Sequence, residues 1–260
     1  MQNPWNGKNA IITGASSGLG ASFTKFLAQA GMHVVLIARR KDRLEKLQAD
    51  INLKGGKASI FQVDLSIEKE REMLFVQILA EIGPIDILIN NARFGWYGFF
   101  YDMKWELAKQ MAEVNMQAVM HMTNLFLPAM VARKSGHIIN IGSIAGALPS
   151  QGIAMYSASK AFIDAFTTSL HRELRGSGVH VSVMRLGPVK TDFYDQAREL
   201  ENGRSVPAEK HAISTGRVNS ALRDLINHPR RVVYVPGWLA IIKYVENFFG
   251  WAVDLLGPLL

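Results

Sequence analysis

Tyr156 and Lys160 stand four residues apart, so on a helix their side chains share one face. A free phenol ionises near ~10 and is a poor acid–base group at neutral pH. A fixed ammonium beside a phenol stabilises the phenolate. Such a pair can exchange a proton with a carbonyl or alcohol oxygen while hydride moves at the adjoining carbon. Ser143 follows an apolar run that reads as a strand, and its hydroxyl can hydrogen-bond that oxygen as charge develops on it. Asn115 lies in an earlier helical pattern. Tyr-x-x-x-Lys alone is common by chance and mostly structural, so its weight comes from its surroundings.

The strongest of these surroundings is the stretch Thr13-Gly14-Ala15-Ser16-Ser17-Gly18-Leu19-Gly20. It follows the apolar run Asn9-Ala10-Ile11-Ile12 and precedes a helical pattern in Phe23, Phe26, Leu27 and Ala30. Glycines let a backbone turn sharply and approach a diphosphate without a Cβ in the way. The helix that follows offers free N–H groups and its positive end to the phosphates.

These residues need a scaffold, and the rest of the chain supplies one. Short β-rich runs (33–38, 57–63, 85–89, 137–141, 179–184 and 231–235) alternate with helical patterns at 42–53, 67–82, 105–133 and 156–176. The runs lack clean polar alternation, as expected of strands covered on both faces. Such alternation of elements predicts an α/β fold: a doubly wound parallel sheet of about seven strands, with right-handed crossovers and helices on both faces. No repeat or linker divides residues 1–237, which read as one domain.

The second strand ends at Ala38 and runs into Arg39-Arg40-Lys41. Dinucleotide folds that prefer NAD place an acid near this point. None stands here, and an arginine fork suits a 2′-phosphate. The expected cofactor is therefore NADP(H), with Arg39 its main contact and NAD(H) a second possibility. Asp64-Leu65 follows the third strand; Asp64 suits either an adenine amino group or the cap of the next helix. Asn90-Asn91-Ala92 follows the fourth strand at the carboxyl edge, where open α/β sheets bind ligands.

With these residues assembled, the chain resembles the short-chain dehydrogenase/reductase family over nearly its whole length. The family's Thr-Gly-x-x-x-Gly-x-Gly turn is matched by Thr13, Gly14, Gly18 and Gly20, and its serine, tyrosine and lysine by Ser143, Tyr156 and Lys160. Asn115 matches a helix asparagine that holds a water linked to the lysine, and Leu186-Gly187-Pro188-Val189-Lys190-Thr191 matches the loop that meets the nicotinamide carboxamide. The resemblance implies a Rossmann fold and reversible NAD(P)-dependent carbonyl–alcohol chemistry, with Lys160 also orienting the cofactor ribose. Cofactor contacts are expected at Gly14, Ser16, Ser17, Gly18, Leu19, Gly20, Arg39, Arg40, Asp64, Leu65, Asn91, Ala92, Tyr156, Lys160, Gly187, Val189 and Thr191. It also implies a homodimer or homotetramer packed through the helix near Tyr156, and a substrate lid over 193–217. Two positions depart from the family pattern: Arg93 replaces the glycine of Asn-Asn-Ala-Gly, and Leu186 the proline of Pro-Gly.

Aromatic residues in the stretch 94–100, with Leu148, Pro149, Met184, Leu186, Phe193 and Tyr194, are expected near the cleft rim and favour a bulky lipophilic carbonyl or alcohol. Core packing or a subunit interface would use the same residue types. The tail 238–260 is apolar and aromatic, interrupted by Lys243, Glu246, Asn247 and Asp254. A membrane span is disfavoured by those charges. A flap over the cleft or against a partner is preferred, with an interfacial helix on a membrane as the other option.

Bulk properties agree with one α/β domain of 260 residues. No cysteine is present, so disulfides and thiolate metal sites are excluded, and the scattered histidines suggest no metal centre. The net charge of +7 is not gathered into one basic block and suits an anionic cofactor rather than nucleic acid. Met1–Trp5 lacks a signal-peptide pattern, which points to the cytoplasm, with peripheral membrane contact open. Two other classes fit the residues: a cofactor sensor without turnover, and a membrane-surface protein acting through the tail.

Overall fold

A computed structural model describes residues 4–204 and 206–256. Met1–Asn3 and the tail residues 257–260 lie outside it, and with them the Gly257-Pro258 break. The described chain forms one parallel sheet of seven strands in the order β3-β2-β1-β4-β5-β6-β7. The strands are β1 (Asn9–Thr13), β2 (His33–Ala38), β3 (Lys57–Gln62), β4 (Ile87–Asn90), β5 (Gly136–Ser143), β6 (Val179–Leu186) and β7 (Val232–Val235). Every residue of β2 and β4 is buried, as their continuous apolar runs require.

Helices cover both faces. Successive strand residues point to opposite sides, so Ile12 and Leu36 join one core while Ile11 and Val35 join the other. The first core is closed by α1 (Gly18–Gln29), α2 (Lys41–Leu53) and α8 (Thr215–Asn227) through Phe23, Leu27, Leu44, Val218 and Leu222. The second is closed by α3 (Glu68–Glu81), α5 (Ala118–Ala132) and α6 (Ala154–Glu173) through Leu74, Ile78, Met122, Phe126 and Leu170. The strand order turns back between β1 and β4, and the carboxyl ends there leave a crevice.

The structure refines three expectations. The helix expected over 105–133 is α4 (Trp105–Ala112), a π-helical turn (Glu113–Gln117) and then α5. The expected lid holds α7 (Phe193–Glu199) and a single turn (Pro207–His211), but its last residues already belong to α8, a core helix. Met184 and Leu186 are buried core residues rather than rim residues, because their side chains leave β6 toward the α1 and α8 layer.

The C-terminal segment packs at its root. Leu239 and Ile242 are buried, while Trp238, Ile241, Tyr244, Phe248, Phe249, Trp251 and Leu255 are exposed along and just before α9 (Ile242–Leu256). The helix is kinked at Phe249. Among the described residues no helix is long and apolar enough to cross a membrane.

Candidate active site

The glycine turn is built around a hydroxyl. Thr13 Oγ1 donates to Ile89 O at 3.3 Å and accepts from the backbone N–H groups of Asn91 and Ala92, each at 2.9 Å. This ties the end of β1 to the loop after β4. Asn91 Nδ2 donates to Thr13 O at 2.9 Å. Gly14 and Gly18 hold φ of +65° and +51°, where side chains are strained. At Gly20 a Cβ would lie 2.1 Å from Gly14 O, so only glycine lets α1 start this close to the turn. Ser17 makes no side-chain cap to α1, leaving the first helical N–H groups free for an anion.

Gly14, Ser16, Ser17, Gly18, Leu19, Arg39, Arg40, Asp64, Leu65, Asn91, Ala92 and Thr191 line one cleft of about 530 Å³. A dinucleotide fits this cradle: glycines where a Cβ would clash, a helix N-terminus, and cations at the far end. The two arginines differ. Arg40 Nη2 donates to Ser16 Oγ at 3.0 Å and Ser17 Oγ at 2.7 Å, while Arg39 lies 3.6 Å from Asp64. Asp64 Oδ1 accepts from Ser66 N at 2.9 Å and Ser66 Oγ at 2.7 Å, so it caps the turn into α3 and lines the cleft as well. Burial pushes its carboxyl up, but Ser66 and Arg39 outweigh burial and leave it below the usual range.

Gly20, Ser143, Tyr156, Lys160, Asn115, Gly187 and Val189 do not line this cleft. Gly187 donates its N–H to Val235 O at 2.9 Å, and Val189 is buried beside Ile213. Ser143 is the last residue of β5, and its Oγ accepts from Ala145 N at 3.2 Å. Tyr156 and Lys160 share a face of α6, with Nζ 5.6 Å from the centre of the phenol ring. Lys160 is fully enclosed and donates to Ile141 O at 2.9 Å, which anchors it to the carboxyl end of β5. Burial first, and the charge of Arg93 second, lower its pKa to about 7, with Asp164 opposing. Asn115 sits in the π-helical turn, its Oδ1 accepting from Phe94 N at 3.1 Å and its Nδ2 donating to Phe94 O at 3.0 Å and Ser159 Oγ at 3.2 Å. Ser159 Oγ in turn donates to Tyr156 O at 2.7 Å. The Asn115 side chain therefore locks the loop after β4 to the helix carrying Tyr156.

Phe193, at the start of α7, closes the gap between the two groups of residues. It lines the cleft and lies 5.7 Å from the Tyr156 ring. Burial and the neighbouring Tyr156 push Tyr194 up to about 12, so it stays protonated. The aromatic loop ties down the segment just after α7 more than it lines the cleft. Trp96 is buried and donates Nε1–H to Glu201 O at 3.0 Å, Tyr97 O accepts from Arg204 N at 2.9 Å, and Lys104 pairs with Glu201 at 2.8 Å. From that loop only Phe94 and Gly95 line the cleft. Gln110, Val114, Gln196, Glu199 and Leu200 line it too, and motif reasoning missed them. Their signal was helical spacing, i and i+4 across 110 and 114 and i and i+3 from 193 through 196 to 199. Away from the cleft, ligand atoms of Glu68, Glu72 and His121 lie within 4.8 Å of one another, but these side chains are largely exposed and His121 Nδ1 already accepts from Arg71.

A family model described as short chain dehydrogenase matches residues 8–202. The chain belongs to the short chain dehydrogenase family. Among short chain dehydrogenases with curated descriptions, one from Pseudocercospora fijiensis is 39% identical over 195 residues, 74% of this chain and 63% of its own length. This chain thus spans somewhat less than two thirds of that relative. A protein of Acinetobacter baylyi described as a fatty acyl-CoA reductase is 34% identical over 242 residues, 92% of this chain and 79% of that one. A solved short-chain dehydrogenase from Sphingobium yanoikuyae, in complex with NADPH, superposes with a TM-score of 0.82 at 27% identity, covering 96% of this chain and 94% of that one.

Proposed function

We propose that this short chain dehydrogenase interconverts a ketone and a secondary alcohol on a lipophilic substrate, with NADP(H) as cofactor. The observation that carries the reading is Lys160: an enclosed ammonium anchored to Ile141 O, on the same helical face as Tyr156 and beside the dinucleotide cradle. NADP(H), when bound, supplies or accepts the hydride. In the reducing direction Tyr156 donates its phenolic proton to the carbonyl oxygen, Lys160 stabilises the phenolate left behind, and Ser143 hydrogen-bonds the same oxygen. In the oxidising direction each transfer reverses. Asn115 holds Phe94 and Ser159, so a relay water at this point would be carried by its backbone.

Arg40 is the better-placed residue for a 2′-phosphate, since it already reaches two serine hydroxyls of the turn, whereas Arg39 faces Asp64. Support for NADP(H) also comes from the NADPH-bound Sphingobium neighbour. A lipophilic substrate is supported by Phe94, Phe193 and Leu200 in the cleft wall and by the name of the Acinetobacter relative. A homo-oligomer through α6 remains the expectation from family resemblance. The test is NADPH consumption with a panel of long-chain and polycyclic ketones. Tyr156→Phe should lose at least about a hundredfold in kcat, the usual scale of acid–base catalysis, with cofactor affinity kept. Full turnover in that variant, or turnover only with small polar ketones, would refute the respective half of the proposal.

The exposed aromatic residues of the C-terminal segment favour an added role at a lipid surface, because Trp and Tyr side chains suit the headgroup boundary.

A further inference from the structure

Arg93 stands where family members carry glycine, and the structure gives it a defined place. Its backbone is not in the left-handed region, so the exchange carries no strain of that kind. Its Nη1 donates to Asn91 Oδ1 at 3.2 Å. Asn91 is the residue whose Nδ2 holds Thr13 O at 2.9 Å and reaches Gly14 O at 3.4 Å. The guanidinium therefore sits beside the glycine turn, one side chain away from it.

Its other neighbour is the Phe193 ring, with Cζ 5.2 Å from the ring centre. Phe193 is itself fixed, because it lies against the backbone of Gly95, where an added Cβ would come within 2.4 Å of the ring. Asn91 and Phe193 thus hold the guanidinium across the cleft. Among the described residues no carboxylate forms an ion pair with Arg93, although Glu199 lines the same cleft from α7. Lys160 is a second basic group nearby, and the charge of Arg93 disfavours the charge on it. Two basic side chains placed this way suit an anion between or beside them. The anion that α1 would hold at the glycine turn is the dinucleotide diphosphate.

We propose that Arg93 is an added cofactor-binding residue, whose guanidinium, beside the glycine turn, clasps the diphosphate of the bound dinucleotide and ties it to Phe193 of α7. This deepens the NADP(H) reading and rests on it. The cofactor brings the anion, Arg93 gains the ionic partner it lacks, and the ring beside Tyr156 is drawn against the occupied cleft.

The experiment measures NADPH and NADH dissociation constants at low and high salt for the full chain and for Arg93→Gly, Arg93→Met, Arg93→Lys and Arg40→Ala. Arg93→Gly restores the family residue, and Arg93→Met keeps an unbranched apolar stem if glycine loosens the loop. Both should weaken NADPH and NADH alike, by about tenfold, and lower the salt dependence of binding. Arg93→Lys should recover part of the loss. Arg40→Ala should weaken NADPH alone. Wild-type affinity for both cofactors in Arg93→Gly and Arg93→Met would overturn the assignment. So would a loss confined to NADPH, which would put Arg93 on the 2′-phosphate. So would unchanged cofactor affinity with a raised KM for carboxylate-bearing ketones, which would put it on the substrate. A wild-type protein that binds neither cofactor would remove the dinucleotide reading itself, a result distinct from these.

Discussion

At the scale of single residues, Tyr156, Lys160 and Asp164 are spaced by four along α6, and the third member favours the charge of the second against burial and Arg93. Asp164 Oδ1 accepts from Arg185 Nε at 2.9 Å, while Oδ2 is buried and has no hydrogen-bond partner among the described residues. Burial pushes this carboxyl up, against the opposing charges of Arg185 and Lys160. Asp164→Asn removes the anion and leaves Arg185 without its ion-pair partner in a largely buried setting. We expect a loss of about 3–5 kcal/mol in urea unfolding, the scale for breaking a buried pair. We also expect the lysine-dependent limb of the kcat–pH profile to move to lower pH, because the counter-charge favouring the ammonium is gone. Unchanged stability and an unmoved profile would show that Arg185 and Lys160 draw their compensation elsewhere. The types and spacing of Ser143, Tyr156 and Lys160 could be read from the chain, and the end of β5 and one face of α6 carry them. That Arg40 rather than Arg39 turns to Ser16 and Ser17 was not, since adjacent arginines are alike in sequence and differ only in which side of the strand end they leave.

At the scale of elements, β5 and β6 carry a titratable pair into the sheet. His137 and His180 are register partners, and His137 Nε2 lies 2.8 Å from Ser182 Oγ. Burial first, and His180 second, lower the His137 pKa to about 3. The ordinary histidine value is ~6.5, so between about 3 and ~6.5 the unfolded chain binds a proton that the folded chain does not. Stability from this group is therefore complete above ~6.5 and falls on acidification, by up to about 1.4 kcal/mol per pH unit. Urea midpoints measured from pH 7 down to 4 should fall accordingly, and His137→Asn should flatten that slope. A slope untouched by the substitution would place the acid sensitivity in other groups. Most strands were readable as apolar runs. The π-helical turn at Glu113–Gln117 was not, because one inserted residue barely alters a helical pattern, yet it sets the direction of Asn115. Helix α8 went unread although Val218, Leu222 and Leu225 carry its period, and its first residues were assigned to the lid expected over 193–217.

At the scale of the whole molecule, the tail packs at its root through Leu239 and Ile242 and exposes its aromatic residues. Among the described residues, none beyond Leu200 lines the cleft. Removing 243–260 should leave the unfolding free energy of the core, read from urea titration, within about 0.5 kcal/mol, as expected where few buried contacts are lost. Flotation with vesicles should be present in the full chain and absent after truncation; if both float, or if the truncated chain instead loses self-association in light scattering, the lipid role of the tail falls. The order of elements and the glycine turn were determined by the sequence, because each is written in local spacing that physics enforces within a few residues. Only the tertiary structure decided that Arg93 reaches back to Asn91 and under Phe193, that the aromatic loop bonds to Glu201 and Arg204 just past α7, and that Leu239 and Ile242 are buried while the aromatic residues around them are exposed. Those are contacts between segments far apart in the chain, and their geometry exists only once the sheet has brought the segments together.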